Sequence, residues 1–379
     1  MKKTIYILIF LLCINSGMSV FAKNDDSELI LNSFNELFSF ILNYHVDEQD
    51  ISELVRGAMK GMTETLDQHS TYMTEKEFED MQLEFEGHFG GIGIYIEPDL
   101  TIVSPIKGTP GERVGLLPGD SIIGINGEST DNMTQNEAVN IMRGEPGTIV
   151  NITIRREGEE EPLEFEIIRE DVQIPNVEWE MKTDKIGYIS IIEFAGGVGD
   201  KVNTAIKELD SDGAEYLILD LRTNPGGLLD EAVNVASNFI EDDIIVSVKY
   251  RVGRDDVYKA RRDIGATKLP LLVLINQGSA SASEIVSAAV KDHNRGILMG
   301  KKSYGKGTVQ SLFPLSDGSA LKLTTGRYYT PAGTFIHEKG INPDIEVDYD
   351  PDYDGDNQLE AALQYIEDMY YRGEQKNAS

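Results

Sequence analysis

The chain has 379 residues, with 65 acidic against 34 basic side chains and a formal net charge of −31. Its 40% hydrophobic share can fill sizeable cores in two or three domains, which excludes a disordered polymer. The acidic surplus is spread along the chain and argues against nucleic-acid binding, which needs a basic face. Cys13 is the only cysteine, so a chain starting after Ala22 has neither disulfides nor thiol chemistry.

The opening MKKTIYILIFLLCINSGMSVFA combines Lys2 and Lys3, an apolar stretch from Ile5 to Ile14, and short residues leading to Ala22. Residues 1–22 are therefore expected to be a secretory signal cleaved after Ala22, with the protein exported to a bacterial periplasm or cell envelope. An uncleaved membrane anchor is the alternative, although the apolar stretch is short for a span. Lipid attachment at Cys13 is disfavoured by Leu11 and Leu12 before it. Residues 23–85 carry helical periodicity: Leu29, Ile30, Phe34, Leu37, Phe38, Ile41 and Leu42 recur at helical spacing, and a second amphipathic run covers Ile51 to Leu66. Two such helices make little core alone, so this region is expected to pack on another domain or a second copy of the chain. LDQHSTYMT follows as a link.

Residues 86–170 change to short strands and turns, with GIGIYIEP, LTIVSPI, DSIIGINGE and TIVNITIRREG as strands. TQNEAVNIMRG adds one helix, in which Thr134 and Glu137 have capping-box spacing. Over residues 171–350 strands and helices alternate. IGYISI and EYLILDLR are continuous apolar runs, as strands covered on both faces should be. LLDEAVNVASNFI and SEIVSAAVKDH are amphipathic helices that follow strands directly, the pattern of βαβ units. Residues 351–379 end in a helical tail containing LEAALQYIEDMYY. The fold expected is multidomain α+β: an N-terminal helical segment, a β-rich domain, an α/β core and a C-terminal helix.

GSASASEIVSAAV, starting at Gly278, places Ser279, Ser281 and Ser283 at the mouth of a helix. Ser281 and Glu284 have S-x-x-E spacing, which a capping box explains. The position also suits a nucleophile. An apolar strand leads into the turn, small neighbours leave room for a substrate backbone, and a helix start offers N–H donors to an oxyanion. Such a serine needs a base. Of the five histidines, His293 and His337 fall in the α/β region, and no H-E-x-x-H motif supports a metal site.

Lysine is the other candidate. KKSYGKGTVQ sets Lys306 between two glycines at the start of a strand, with Thr308 and Gln310 on its face. Lys306 can act as a base where burial lowers its pKa, and Gln310 is placed to orient its amine; a surface lysine is the plain alternative. In DLRTNPGGLLDEAV, Gly226 and Gly227 either expose N–H groups to an oxyanion or simply make a tight βα connection. In FGGIGIYI, the turn of Gly91, Ile92 and Gly93 either holds a peptide's terminal carboxylate while the peptide adds as a strand, or forms an edge bulge.

Taken in order, LDQHSTYMT, FGGIGI with LLPGDSIIGINGE, DLRTNPGG, NQGSASASEIVSAA, GKKSYGKGTVQ and TPAGTFIHEKGINPDIEV resemble the C-terminal processing peptidases, or tail-specific serine proteases. The resemblance covers nearly all of the chain after the signal. It implies a PDZ domain over 86–170 and a protease core distantly like the Clp protease and crotonase folds. It also implies an exported endopeptidase that takes protein substrates with apolar C-termini and uses no metal or cofactor. By the same resemblance Ser281 is the nucleophile, Lys306 the base and Gln310 its support. Gly227 and Ala282, with Gly226 beside them, form the oxyanion hole. Gly91, Ile92 and Gly93 capture the substrate's C-terminus, and Arg143 is either a gating contact or a solvated helix-end arginine. A homodimer or larger assembly is expected, with the membrane reached only through an uncleaved signal. The rivals are a PDZ adaptor with a silent core, acyl-thioester chemistry on a crotonase-like fold, and a Ser-His-acid protease using His293.

Overall fold

A computed structural model describes residues 25–377, apart from positions 86 and 174. The expected signal segment lies outside the described residues. Among those described, no helix is long and apolar enough to cross a membrane. The chain divides into two compact units after Gln68.

The first unit holds helices α1 (Asp25–Tyr44) and α2 (Ile51–Glu64). Asp50 caps α2 by accepting the Ser52 N–H at 2.7 Å. The apolar stripes read from the sequence form, but Leu29, Ile30, Phe34, Leu37 and Ile51 stay exposed.

The second unit starts with β1 (Thr71–Met73) and α3 (Glu75–Phe85), then enters the β-rich domain. Its elements are β2 (His88–Gly91), β3 (Ile94–Ile96), β4 (Ile102–Pro105), α4 (Pro110–Arg113), β5 (Ser121–Ile125), β6 (Glu128–Ser129), α5 (Gln135–Met142), β7 (Ile149–Arg155), β8 (Leu163–Ile168) and β9 (Glu170–Gln173). Strands β6-β5-β7-β8 form one sheet, while β3 pairs with β4 and β2 with β9. Alternate residues of β7, namely Val150, Ile152 and Ile154, point into a core shared with Ile102, Leu116, Ile125 and Ile167. The capping box of α5 forms: Glu137 N–H donates to Thr134 Oγ1 at 3.3 Å and Thr134 N–H to Glu137 Oε2 at 2.8 Å. The apolar run FGGIGIYI is not one strand. Gly93 has φ +72° and its Cα lies against the Thr109 side chain, so the chain turns there and β2 and β3 take different partners.

The α/β core comprises β10 (Val177–Met181), β11 (Ile186–Ile191), α6 (Val198–Ser211), β12 (Tyr216–Asp220), α7 (Leu229–Ser237), β13 (Ile244–Tyr250), β14 (Asp256–Lys259), β15 (Leu271–Ile275), α8 (Ala282–Asp292), β16 (Gly296–Gly300), β17 (Thr308–Pro314), β18 (Ala320–Tyr329), β19 (Ile345–Glu346) and α9 (Asn357–Asn377). The main sheet runs β10-β11-β12-β15-β16-β19, antiparallel only at β10. Every residue of β15 is buried. Leu271, Val273 and Ile275 face a core with α6, α7 and α8, whereas Leu272 and Leu274 face a second core with Ala362 and Ile366 of α9. Two covered faces are why this strand reads as LLVLI rather than as alternation.

A second sheet runs β1-β18-β13-β14, with β17 also on β18. Its β1 comes from the stretch read as a link: Thr71, Tyr72 and Met73 pair with Lys322, Leu321 and Ala320. Three residues are too few to display a period, so only the tertiary pairing reveals this strand.

Buried Arg169 ties the end of α5 to the sheet. Its guanidinium donates to the carbonyls of Met142 at 2.9 Å, Ile141 at 2.8 Å and Ile149 at 2.9 Å. Arg169→Met would leave these acceptors without partners and cost about 3 kcal/mol locally. Hydrogen exchange of the α5 amides should then speed up about a hundredfold while that of β15 is unchanged.

Candidate active site

The strand β15 ends in a turn that delivers Ser281 as the N-cap of α8. Ser281 has φ +50°, a left-handed backbone that a residue with a Cβ rarely adopts. Neighbouring groups hold it there. Ser279 Oγ donates to the Leu221 carbonyl at 2.7 Å and Ser283 Oγ to the Asn224 carbonyl at 3.0 Å, while the Ala280 N–H reaches the same Asn224 oxygen at 3.0 Å. The outer two serines of the run thus tie this turn to the NPGG turn after β12.

The two turns meet at Gly226. Its φ is +107°, and a Cβ built there would lie 2.8 Å from both the Ala280 oxygen and the Ser281 Cβ. Only glycine permits that approach. The Gly226 N–H is bonded to Asn224 Oδ1 at 2.8 Å, so the expectation that Gly226 shares in an oxyanion hole is corrected: its donor is already engaged, and its part is steric. The N–H groups of Gly227 and Ala282 have no partner among the described residues, and both residues line one cleft with Ser281.

Glu284 is completely buried and collects donors from two loops. It accepts the Ser281 N–H at 3.0 Å, the Ser303 hydroxyl at 2.6 Å, and the N–H groups of Gly305 at 2.7 Å and Lys306 at 2.8 Å. The buried Tyr328 hydroxyl reaches Glu284 Oε2 and the Ser281 carbonyl, both at 3.4 Å, and donates to the Lys306 carbonyl. The capping-box spacing identified Glu284 but not its hold on the lysine loop. The Glu284 N–H also bonds the Ser281 carbonyl, at 2.9 Å.

Lys306 is half-buried in the same cleft, which has a volume of about 320 Å³. Burial lowers its pKa, Lys322 nearby lowers it further, and Glu284 opposes both. Gln310 lines the cleft, but its amide donates to Thr308 Oγ1 at 3.1 Å and Thr324 Oγ1 at 3.2 Å. No hydrogen bond joins Gln310 to Lys306 among the described residues, so the expected contact is not formed; the two threonines engage only the NH₂ end of the amide. Nor does a hydrogen bond join Lys306 to Ser281 among the described residues. Neither candidate histidine lines this cleft. His293 Nε2 bonds the Ile244 carbonyl at 2.8 Å, and His337 Nδ1 accepts the Gly307 N–H at 3.4 Å. No cluster of metal-ligating residues occurs among those described.

Residues 185–347 match the family model described as Peptidase family S41, and residues 101–156 match a PDZ domain model. A carboxy-terminal-processing protease of Bartonella bacilliformis is 40% identical over 327 residues, spanning 84% of this chain and 75% of that one. The chain belongs to peptidase family S41. The carboxy-terminal processing protease CtpA of Bacillus subtilis is 38% identical over 337 residues, 88% of this chain and 71% of that protein. Among solved structures, a photosystem II D1 C-terminal processing protease shares 28% identity at a TM-score of 0.54, covering 83% of this chain and 87% of that one. This S41 member is accordingly a serine peptidase with a PDZ domain, and its substrates are proteins or peptides.

In this S41 peptidase the PDZ domain has its own groove, of about 270 Å³, lined by Gly91, Ile92, Gly93, Ile94, Val139 and Arg143 among others. Strand β3 borders it with one edge paired to β4. Arg143 caps the C-terminus of α5 and lays its guanidinium 5.1 Å over the Phe89 ring, rather than extending into solvent. The sequence reading missed Tyr328 and Lys322. One is an aromatic and the other a lysine on an otherwise ordinary strand, and nothing in their spacing marks them.

Glu284→Gln supplies one acceptor oxygen in place of two and turns an NH₂ group toward N–H donors. The S41 peptidase carrying it should lose activity at least about a hundredfold in kcat with little change in KM, because the lost contacts position the turn and not the substrate.

Proposed function

We propose that this S41 peptidase is an exported Ser/Lys-dyad endopeptidase that captures protein substrates by their C-terminus and cleaves them internally or trims them. One observation carries the reading: a single cleft collects Ser281, a half-buried Lys306 of depressed pKa, and the residues Gly227 and Ala282, whose N–H groups have no partner among the described residues. Neutral Lys306 takes the proton from Ser281 Oγ as that oxygen attacks the substrate carbonyl carbon. The Gly227 and Ala282 N–H groups stabilise the resulting oxyanion, each contributing about 3 kcal/mol. The Lys306 ammonium then protonates the leaving amine, and the neutral amine returns to deprotonate the water that hydrolyses the Ser281 ester. Gln310 supports this cycle through the wall it forms with Thr308 and Thr324. Substrate binding closes the Ser281–Lys306 gap, since catalytic hydrogen bonds often tighten only in the complex.

In the PDZ domain, the turn of Gly91, Ile92 and Gly93 takes the terminal carboxylate. The apolar lining by Ile94, Val139 and Met142 favours an apolar last residue. Arg143, at the mouth of that groove, senses the occupied state. Export rests on the opening 22 residues, whose pattern is that of a cleaved signal. Assembly into a homodimer rests on the exposed apolar side chains of α1 and α2, a surface too apolar to remain in water. We further assign the helical region to 23–85, the PDZ domain to 86–170, the catalytic core to 171–350 and the C-terminal helix to 351–379.

Mass spectrometry of an unstructured protein with an apolar C-terminus should show cleavage by the mature chain and a loss of at least about a thousandfold with Ser281→Ala or Lys306→Ala. Cleavage that survives both substitutions would remove the dyad. The base must be neutral, so kcat/KM should rise with pH through the lowered Lys306 pKa. Replacing Lys322 by Met removes a like charge and should move that rising limb to higher pH. An amidated substrate tail should raise KM about tenfold, and Arg143→Ala should blunt activation by free tail peptides. Equal turnover of free and amidated tails would exclude capture by the PDZ groove.

A further inference from the structure

Lys322 sits in the middle of the second sheet, where β18 is paired on both sides. It lies opposite Leu312 of β17 and Thr71 of β1. Two residues along, Thr324 accepts the Gln310 amide, and side chains two apart share a face of a strand. Lys322 therefore stands on the face that carries Gln310, and with Leu312 it lines the catalytic cleft. It is half-buried, and its ammonium has no hydrogen-bond or ion-pair partner among the described residues. Glu193 is the carboxylate in the cleft lining, and no ion pair joins it to Lys322 among those residues.

A half-buried ammonium without an acceptor is costly, more so beside a second lysine. On a chain with 65 acidic residues, carboxylates were abundant, yet none pairs with this lysine among the described residues. Two other half-buried lysines of the core, Lys291 and Lys301, differ in this respect and hold carboxylates at 2.7 Å and 2.6 Å. An ammonium kept open inside a substrate cleft suits an acceptor that arrives with the substrate.

We propose that Lys322 is a specificity-determining residue that docks a carboxylate of the substrate chain beside the scissile bond. The proposal rests on the reading above that this cleft is where peptides are cut. The carboxylate comes either from an acidic side chain flanking the cleaved bond or from a free C-terminus lying within reach of it. Both would pair with Lys322 through charge-assisted hydrogen bonds in a partly desolvated site. The chain's net charge of −31 disfavours anionic groups in general, which gives a cation in the cleft more weight in choosing where one docks.

The test uses the mature chain and a panel of unstructured peptides. One arm compares Asp with Asn and Glu with Gln at each position flanking the cleaved bond. The other compares free with amidated C-termini at graded distances from it. The wild type should prefer the carboxylate about tenfold in kcat/KM in one arm, and the arm that responds identifies the source. Lys322→Met should bring that ratio to about one, Lys322→Arg should keep it, and added salt should weaken it. Where turnover is slow, affinities for Ser281→Ala with and without Lys322→Met supply the same ratio. An unchanged ratio in Lys322→Met, or no carboxylate preference in either arm, would overturn the proposal and leave Lys322 as a charge that only tunes Lys306. Failure of the dyad reading looks different, since Ser281→Ala or Lys306→Ala would then still cleave whatever the ratio.

Discussion

The turn that follows β12 and the turn that precedes α8 approach so closely at Gly226 that any side chain there would strike Ser281 and Ala280. Most of the catalytic geometry depends on that contact. It lets Asn224 serve three elements at once, bonding the Ile191 carbonyl at 2.7 Å through its amide, the Gly226 N–H through its side-chain oxygen, and the serine turn through its carbonyl. With the turns locked together, Ser281 is held in a left-handed conformation that it would not choose alone. Gly227 and Ala282, whose N–H groups have no partner among the described residues, line the same cleft. Parallel strands β12 and β15 are neighbours in the sheet, so both turns emerge at the same carboxyl edge, where open α/β sheets place their sites.

A second constraint joins the serine turn to the lysine loop. A carboxylate as buried as Glu284 is tolerated because Ser281, Ser303, Gly305 and Lys306 all donate to it, and each donor offsets part of the cost of removing the charge from water. The same residue therefore spaces Ser281 and Lys306 through backbone contacts, without contacting the Ser281 hydroxyl or the Lys306 amine. The electrostatics of the base come from elsewhere. Burial and the like charge of Lys322 press Lys306 toward its neutral form, while Glu284 pulls the other way. Desolvation is the largest of these effects, so the cleft itself makes the Lys306 ammonium more acidic and its neutral amine more accessible.

The two grooves are built on separate cores. The PDZ groove is built on its own apolar cluster around β5, β7 and α5, and the catalytic cleft on the clusters either side of the main sheet. The network at the base of the NPGG turn adds rigidity: Arg222 joins Asp220 at 2.5 Å and Asp356 at 2.6 Å, linking β12 to the segment that leads into α9. The C-terminal helix is thereby coupled to the turn that borders Ser281, and it also covers one face of the sheet.

The sequence by itself determined much. Apolar runs such as LLVLI demanded a sheet covered on both faces, the glycines of NPGG and FGGIGI marked turns, and the S-x-x-E spacing placed Ser281 at a helix start. The motif order carried the family. These signals are local, written in spacing and in the few residue types that a turn or cap accepts. Only the tertiary structure decided which N–H groups have partners among the described residues, that Gly226 works by its missing side chain, and that two threonines take the NH₂ group of Gln310. It alone turned TYM into a strand beneath Lys322 and made Glu284 the tie between two loops 19 to 22 residues apart in sequence. Burial, hydrogen-bond partners and neighbouring charge arise between segments distant along the chain, so spacing within any one segment holds no record of them.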